Sequence, residues 1–519
     1  MPSLVANRVT LVISATGIAL FGLLWNSCSQ CLSACPSHDG DPSRSGYLEF
    51  DCAKKPHQSS WGSWFHPDWI WHRETRSSLQ QQAGALTRDW NILYHLGGVG
   101  PWVEKTVDVV EGGIAVPEGC EVEQVHMMAR HGERYPTKSV GRRIKALFER
   151  MKSSGISFKD DLAFFNDWDL FWTDDSQIEQ LTSTGPFSGR LGAFTTGVRL
   201  RTRYQRLLSI AESHSPPIKY WASGSPRVIE TARYFGAGFF GLDLLNKTNL
   251  EVISEDSSRG ADTLTPGDTC RAYYHDPDEG HDYGYTALYQ FRATYLGAIR
   301  ERLLEQNPDI EFSDEEIYAM QEMCGFETTV RGSSRWCHVF TQDEFLSFEY
   351  ARDVLHYYRA GPGTKWGAVM GWLWLNATVN LMLEGPSAGP LYFSFVHDGD
   401  IAPMITALDI ITDPKHLPTT RVQHDRKWRK SQVSPMGGRT IFELLSCGHK
   451  DETGPAKYVR ININDGITAI PGCESGPGSS CPLKDFVTRT KEKGEEAGDF
   501  REKCGLSEEA ADRITFLHQ

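Results

Sequence analysis

The sequence predicts an α/β protein: a core sheet with flanking helices, plus a largely helical insertion subdomain. Three observations lead there. Apolar, β-branched and aromatic runs of strand length recur far apart in the chain, at EVEQVHMMA (121–129), KYWASG, LYFSFV and YVRININ. Helical spacing dominates the stretch between the first and the later ones, roughly residues 140–385. Two of the strand-like runs lead into a polar, histidine-containing motif, and the carboxyl ends of strands are where open α/β sheets hold ligands.

Taken from the N-terminus, the first element is uniformly apolar. Residues 9–25, VTLVISATGIALFGLLW, follow Arg8 and hold no charge. The run is long for a signal peptide's apolar part and short for a spanning helix. Residues 1–27 are therefore expected to be a signal peptide or a signal-anchor helix, with a membrane tether through residues 9–25 in the second case. Either would send the chain into the secretory pathway, to the extracellular space, the cell wall or a membrane-anchored position outside the cytosol. Residues 28–85 are polar and rich in Pro and Ser, with scattered tryptophans, and read as a linker or stalk. A folded domain is expected from 86 to 519. In it, strand 121–129 precedes TKSVGRRIKALFER, where Ile144, Leu147 and Phe148 recur at helical spacing. Further on, FLSFEYARDVLHYYRAG should stop as a helix at Gly361, ahead of Pro362.

Composition narrows the function. The chain has 519 residues, 40% hydrophobic and 23% charged, as an ordinary globular protein does. A formal charge of -14 speaks against a nucleic-acid partner. Protonating all 17 histidines would bring it to -14 + 17 = +3, so an anionic substrate meets far less repulsion near pH ~5, below the usual histidine pKa of about 6.5. No internal repeat and no glycine-rich nucleotide loop is present. Twelve cysteines suit an oxidising compartment. Cys28, Cys31 and Cys35 crowd the end of the apolar run, where metal binding, lipidation or removal with a signal all stay open. Asn246-Lys247-Thr248 and Asn376-Ala377-Thr378 are glycosylation sequons.

The chemistry concentrates in two places. Strand 121–129 delivers Arg130-His131-Gly132-Glu133-Arg134. Guanidinium groups match phosphate oxygens in pairs and keep their charge at any working pH. A histidine between them has its imidazolium form disfavoured, so it keeps a nucleophilic nitrogen even in acid. That combination suits in-line attack on phosphorus. The second place is His397-Asp398-Gly399-Asp400, after the strand LYFSFV. The same four residues occur as His38-Asp39-Gly40-Asp41, but among Pro, Ser and Gly with no strand before them, and that copy reads as filler. His126, on the buried strand, is expected to be a core or wall histidine. Asp400 and Glu133 are expected to be solvated or salt-bridged to an arginine.

RHGERYP with HD far downstream resembles the histidine acid phosphatase family, of the fungal repressible acid phosphatase and phytase type. NILYHLGGVGPWV, CGFETTVRGSSRWCHVFTQDEF, YYRAGPG, NATVNLML, FSFVHDGDI, PMGGRTIFELLSC and YVRININDGITAIPGC extend the likeness, in family order, over most of residues 90–481. The resemblance implies a phosphoglycerate-mutase-like core sheet and hydrolysis of phosphate monoesters through a phosphohistidine, with no cofactor and no metal. It implies that His131 is the nucleophile, that Arg130, Arg134, Arg227 and His397 bind the phosphate, and that Asp398 protonates the leaving group. At low pH Asp398 is expected to be protonated while His131 stays neutral. Disulfides Cys120–Cys447, Cys270–Cys504, Cys324–Cys337 and Cys473–Cys481 are implied too, leaving Cys52 unpaired or joined to an N-terminal cysteine. Lys138, Arg142, Arg143 and Lys145 follow the motif and would suit a polyanion such as phytate; against that, Val140 stands where fungal phytases tend to carry a lysine, and HDGD replaces a phytase-like HDN. A broad acid phosphatase is thus preferred over a phytase. A catalytically silent phosphoanion-binding relative and a glycoside hydrolase are remoter alternatives.

Overall fold

Strand β1 (Cys120–Arg130) runs through the middle of the sheet because both of its faces are buried. Val125, Met127 and Ala129 point one way, Gln124, His126 and Met128 the other. The computed structural model describes residues 90–214, 217–448 and 455–519. The apolar segment 9–25, the segment 28–85 expected as a linker or stalk with the first HDGD copy, and Cys28, Cys31, Cys35 and Cys52 lie outside the described residues.

Seven further strands join β1: β2 (Ile218–Ser223), β3 (Thr248–Ile253), β4 (Leu391–Val396), β5 (Arg439–Cys447), β6 (Ala456–Ile463), β7 (Gly466–Thr468) and β8 (Cys481–Pro482). Their order is β3-β2-β4-β1-β5-β6-β7, with β8 beside β6. The half from β3 to β1 is parallel and the half from β5 onward antiparallel. One register matters most. Arg130 pairs with Val396, so β1 and β4 end side by side. The N–H of His131 donates to Val396 O at 3.0 Å, one step beyond the ladder. His131 and His397 therefore leave the sheet as neighbours.

Helices clothe both faces: α1 (Lys138–Ser153), α2 (Gly189–Arg203), α3 (Pro226–Phe240), α4 (Tyr283–Arg292), α5 (Asp314–Arg331), α6 (Gln342–Ala360), α7 (Trp366–Glu384), α8 (Asp398–Leu408), α9 (Lys430–Val433) and α10 (Leu483–Ala497). Helices α2 and α3 cover one face, where Phe235 and Phe239 of α3 meet Phe393 and Phe395 of β4 at ring distances of 4.8–5.1 Å. Burying each such ring stabilises the fold by about 1.5–3 kcal/mol. On the other face, the α7 indole of Trp374 donates to Ser394 Oγ at 3.2 Å and lies against Phe442. Capping boxes start α5 (Ser313 with Glu316) and α6 (Thr341 with Glu344). Helix α6 ends at Ala360, with Gly361 as its cap, where the sequence places the stop.

The span 140–385 differs from the single helical insertion expected. Strands β2 and β3, with α3 between them, fall inside it and belong to the core sheet. Strand β2 holds KYWAS of the strand-like run KYWASG; β3, 6 residues long and half-exposed, is too weak a pattern beside the helices to be read. Four disulfides are present, Cys120–Cys447, Cys270–Cys504, Cys324–Cys337 and Cys473–Cys481. The first joins directly paired residues of β1 and β5. Asn246 is exposed, whereas Asn376 is half-buried on α7 with Thr378 of its sequon fully buried. No helix among the described residues is long and apolar enough to cross a membrane.

Candidate active site

The turn after β1 depends on two glycines. A Cβ on Gly132 would come 2.8 Å from Gly189 O, and a Cβ on Gly189 would come 2.0 Å from Glu133 O. Only without side chains can the start of α2 press onto the turn. The N–H of Gly132 donates to Thr231 Oγ1 at 2.9 Å, and Thr231 in turn donates to Arg227 O at 2.7 Å. The motif is thereby tied to α3, which Pro226 opens and on which Arg227 is the second residue. His397 caps α8, with its N–H donating to Asp400 Oδ2 at 2.9 Å, and Asp398 is that helix's first residue.

His131 is 1% exposed. Its Nδ1 lies 2.9 Å from Gly132 O, and because a carbonyl can only accept, Nδ1 carries the hydrogen and Nε2 the lone pair. Burial holds its pKa well below the usual histidine range, and Arg130, Arg134, Arg227 and His397 push the same way. The ring is held neutral, with a lone pair on Nε2. His397 lies with its ring 5.7 Å from that of His131. Glu255 Oε1 lies 3.0 Å from His397 Nε2 and, as an ionised carboxylate, can only accept, so Nε2 carries a hydrogen; Nδ1, 3.4 Å from Arg227 Nη2, faces the cavity side. Burial alone would raise the Glu255 carboxyl. Hydrogen bonds from His397, Ser223 and the Ser225 N–H outweigh it and bring the pKa down to about 2.

Arg130 is anchored through Nη1, which donates to Gly98 O at 2.9 Å and Ser434 O at 3.0 Å, while Nη2 pairs with Asp398 Oδ2 at 3.1 Å. Arg134 Nη1 donates to Tyr135 O. Burial, with Arg130 and Arg227 adding to it, lowers the Arg134 pKa to about 9, which leaves it cationic at acid and neutral pH. The Nε atoms of Arg130, Arg134 and Arg227 are buried without a hydrogen-bond partner among the described residues. A bound oxyanion would supply acceptors in their vicinity. All six predicted residues, His131, Asp398, Arg130, Arg134, Arg227 and His397, line one cavity of about 470 Å³.

Three expectations change. Asp398 is ionised, not protonated: burial works to raise its pKa, but Arg130, Lys430 and His356 hold it well below the carboxylate range. Glu133 and Asp400 are neither solvated nor arginine-bridged. Both are buried and accept backbone N–H groups, Glu133 from Trp102 and Asp400 from His397. Burial raises Glu133 to about 7 and Asp400 well above its ordinary range. Of the basic residues after the motif, only Arg143 lines the cavity. Lys138, Arg143 and Lys145 are each paired, with Glu179, Glu322 and Asp175. His126 is the core histidine expected, stacked on Tyr392 at 4.6 Å, and burial lowers its pKa to about 3.

Other cavity residues escaped the sequence. Arg352, His356 and Arg359 project from α6, and Glu255, Asp268 and Arg292 are further charged residues of the lining. The α6 trio carried a signal, since positions four and three apart share a helix face. Glu255 and Asp268 stand alone in their segments and carried none.

Comparison with known proteins follows from this geometry. The model of the histidine phosphatase superfamily, branch 2, matches residues 121–464. A phytase of Candida albicans is 33% identical over 83% of this chain and 91% of its own length. An acid phosphatase of Komagataella pastoris is 34% identical over 81% of this chain and 88% of its own. The crystal structure of the phytase from D. castellii superposes with a TM-score of 0.76 at 30% identity, covering 85% of this chain and 93% of that one.

Proposed function

Because the chain belongs to branch 2 of the histidine phosphatase superfamily, we propose that it is an acid phosphatase releasing phosphate from monoesters through a phosphohistidine at residue 131. The observation that carries this is the Nδ1–H bond from His131 to Gly132 O, which leaves Nε2 unprotonated beside three guanidiniums. Nε2 attacks phosphorus, the P–N bond forms, and the ester P–O bond breaks. Arg130, Arg134, Arg227 and His397 hold the non-bridging oxygens as charge redistributes among them. Asp398 takes up the proton that a singly protonated ester brings, gives it to the departing alkoxide, and afterwards takes one from the water that cleaves the P–N bond. Each step balances without a metal or cofactor.

Broad monoester specificity is supported by the pairing of Lys138, Arg143 and Lys145 with carboxylates, which leaves little free charge on α1 for a hexaphosphate. Phytate hydrolysis is the second reading. Arg292, Arg352 and Arg359 favour it, being additional guanidiniums on the cavity wall, as does the likeness to two phytases. The deciding assay compares phosphate release from an alkyl phosphate, an aryl phosphate and phytate at pH ~5. Faster release from the simple esters supports the first reading, preference for phytate the second, and no release from any of them defeats both. For the whole chain we infer a leader in residues 1–27, a stalk in 28–85 and a catalytic unit from 86 onward. Residues 9–25 would serve as signal or tether, and the four disulfides fit a position outside the cytosol.

A further inference from the structure

The ion pairs of Asp398 all fall on one oxygen. Oδ2 receives Lys430 Nζ at 2.9 Å and Arg130 Nη2 at 3.1 Å, with His356 Nε2 at 3.8 Å. None falls on Oδ1. Burial keeps the His356 pKa well below the ordinary histidine range, and Lys430 differs from the other two basic groups in its place. It is 0% exposed and absent from the cavity lining, whereas Arg130 and His356 are part of that lining.

Its surroundings hold it still. Nζ also donates to Ser434 O and Ser434 Oγ, both at 2.7 Å, so all three ammonium hydrogens have acceptors. The Lys430 N–H donates to Asp353 Oδ1, and Asp353 is paired with Arg426. The aliphatic stem lies beside Gly98, where a Cβ would come 3.2 Å from Lys430 Cγ, and Gly98 O accepts from Arg130. Lys430, Gly98, Arg130 and Asp398 thus close a ring of contacts behind the site.

We propose that Lys430 is the positioning residue that fixes the orientation of Asp398 and sets the pH above which Asp398 can no longer protonate the leaving group. This rests on the reading of Asp398 as the general acid. The charged groups around Asp398 are Arg130 and Arg134 from the turn after β1, Arg352, His356 and Arg359 from α6, Asp400 from its own helix, and Lys430 from α9. A phosphate dianion in the cavity offsets the cations that line it. Lys430 stands behind the wall, out of reach of bound phosphate; burial works to lower its pKa and the Asp398 carboxylate to raise it, and in its ammonium form it acts on Asp398 throughout the cycle. With Oδ2 pinned from behind, Oδ1 is the oxygen left to carry the proton.

The test is the pH dependence of kcat with glycerol phosphate, whose poor leaving group makes proton donation limiting. In Lys430→Met the carboxyl loses a cation, stays protonated to higher pH, and the descending limb moves up by about one pH unit or more. Inhibition by inorganic phosphate changes by only a small factor, because Lys430 does not line the cavity. Lys430→Arg returns the limb towards the parent position. A limb that stays in place in Lys430→Met, whatever happens to kcat, overturns the proposal; if that variant does not fold, Lys430→Gln is judged by the same limb. Asp398→Asn separates the two ideas. If it turns over glycerol phosphate at the parent rate, the general-acid reading falls and this proposal with it. If it is inactive while the Lys430→Met limb is unmoved, only Lys430 loses its role.

Discussion

Two titrating residues carry the proposed mechanism, and their states in the free protein are both opposed to simple expectation from pH. His131 stays neutral in acid, through burial and its arginine neighbours. Asp398 stays ionised there, because Arg130 and Lys430 outweigh its burial. The proton for the leaving group can enter with the substrate, since a phosphate monoester has its second pKa near ~6 and arrives singly protonated below it. A monoanionic ester meeting ionised Asp398 holds the same number of protons as a dianion meeting the acid form. The sign is then fixed: kcat/KM for an alkyl phosphate falls as pH rises through about 6, and a flat profile from pH ~4 to ~8 contradicts the assignment. Asp398→Asn should lower kcat for that ester by roughly 10²–10⁴-fold while phosphate still binds, which inhibition by inorganic phosphate would measure. The residues in these predictions were legible from the sequence because each sits in a short motif at a strand or helix end. Their protonation was not, since Lys430 lies 32 residues beyond Asp398 in a stretch with no motif.

Strand register and one glycine contact bring the site together. Arg130 beside Val396 makes neighbours of two histidines that are 266 positions apart, 131 and 397. The pairing of Cys120 with Cys447 locks β1 to β5 at the far end of the same strand. Replacing both cysteines by serine should cost about 3–5 kcal/mol in denaturant unfolding, with kcat little changed, because the cross-link lies at the opposite end of β1 from His131. Gly189→Ala should do the reverse. Its Cβ would strike Glu133 O, push α2 off the turn and lower kcat/KM, with a smaller loss of stability than the double cysteine variant. Strands β1, β2, β4 and β6 were visible as apolar runs. β5 was not read as a strand: Arg439, Thr440 and Glu443 break its apolar run although all three are buried, and edge strand β3 is half-exposed and short.

Across the whole molecule, buried groups shape stability with pH in opposing directions. His126 has its pKa lowered to about 3 by burial, so below pH ~6.5 the unfolded chain binds the proton more readily and stability falls as pH drops. Glu133 has its pKa raised to about 7, so the folded protein keeps a proton that the unfolded chain has lost, and stability falls as pH rises from ~4.5 to ~7. In the window they share, the two effects offset. Thermal melts against pH should show Glu133→Gln losing less stability than the parent between pH ~5 and ~7.5, by up to about 3 kcal/mol. A mildly acidic plateau would suit a protein whose charge moves from -14 toward positive as its histidines protonate. That charge balance was readable from composition, but the membership of β2 and β3 in the core sheet, inside the helical span, was not. The most direct test is to quench the protein during turnover of a ³²P-labelled monoester and locate the label. An alkali-stable, acid-labile phosphoryl group on His131, absent from His131→Ala, is the predicted result. Turnover with no labelled protein, or with the label on another residue, would contradict it.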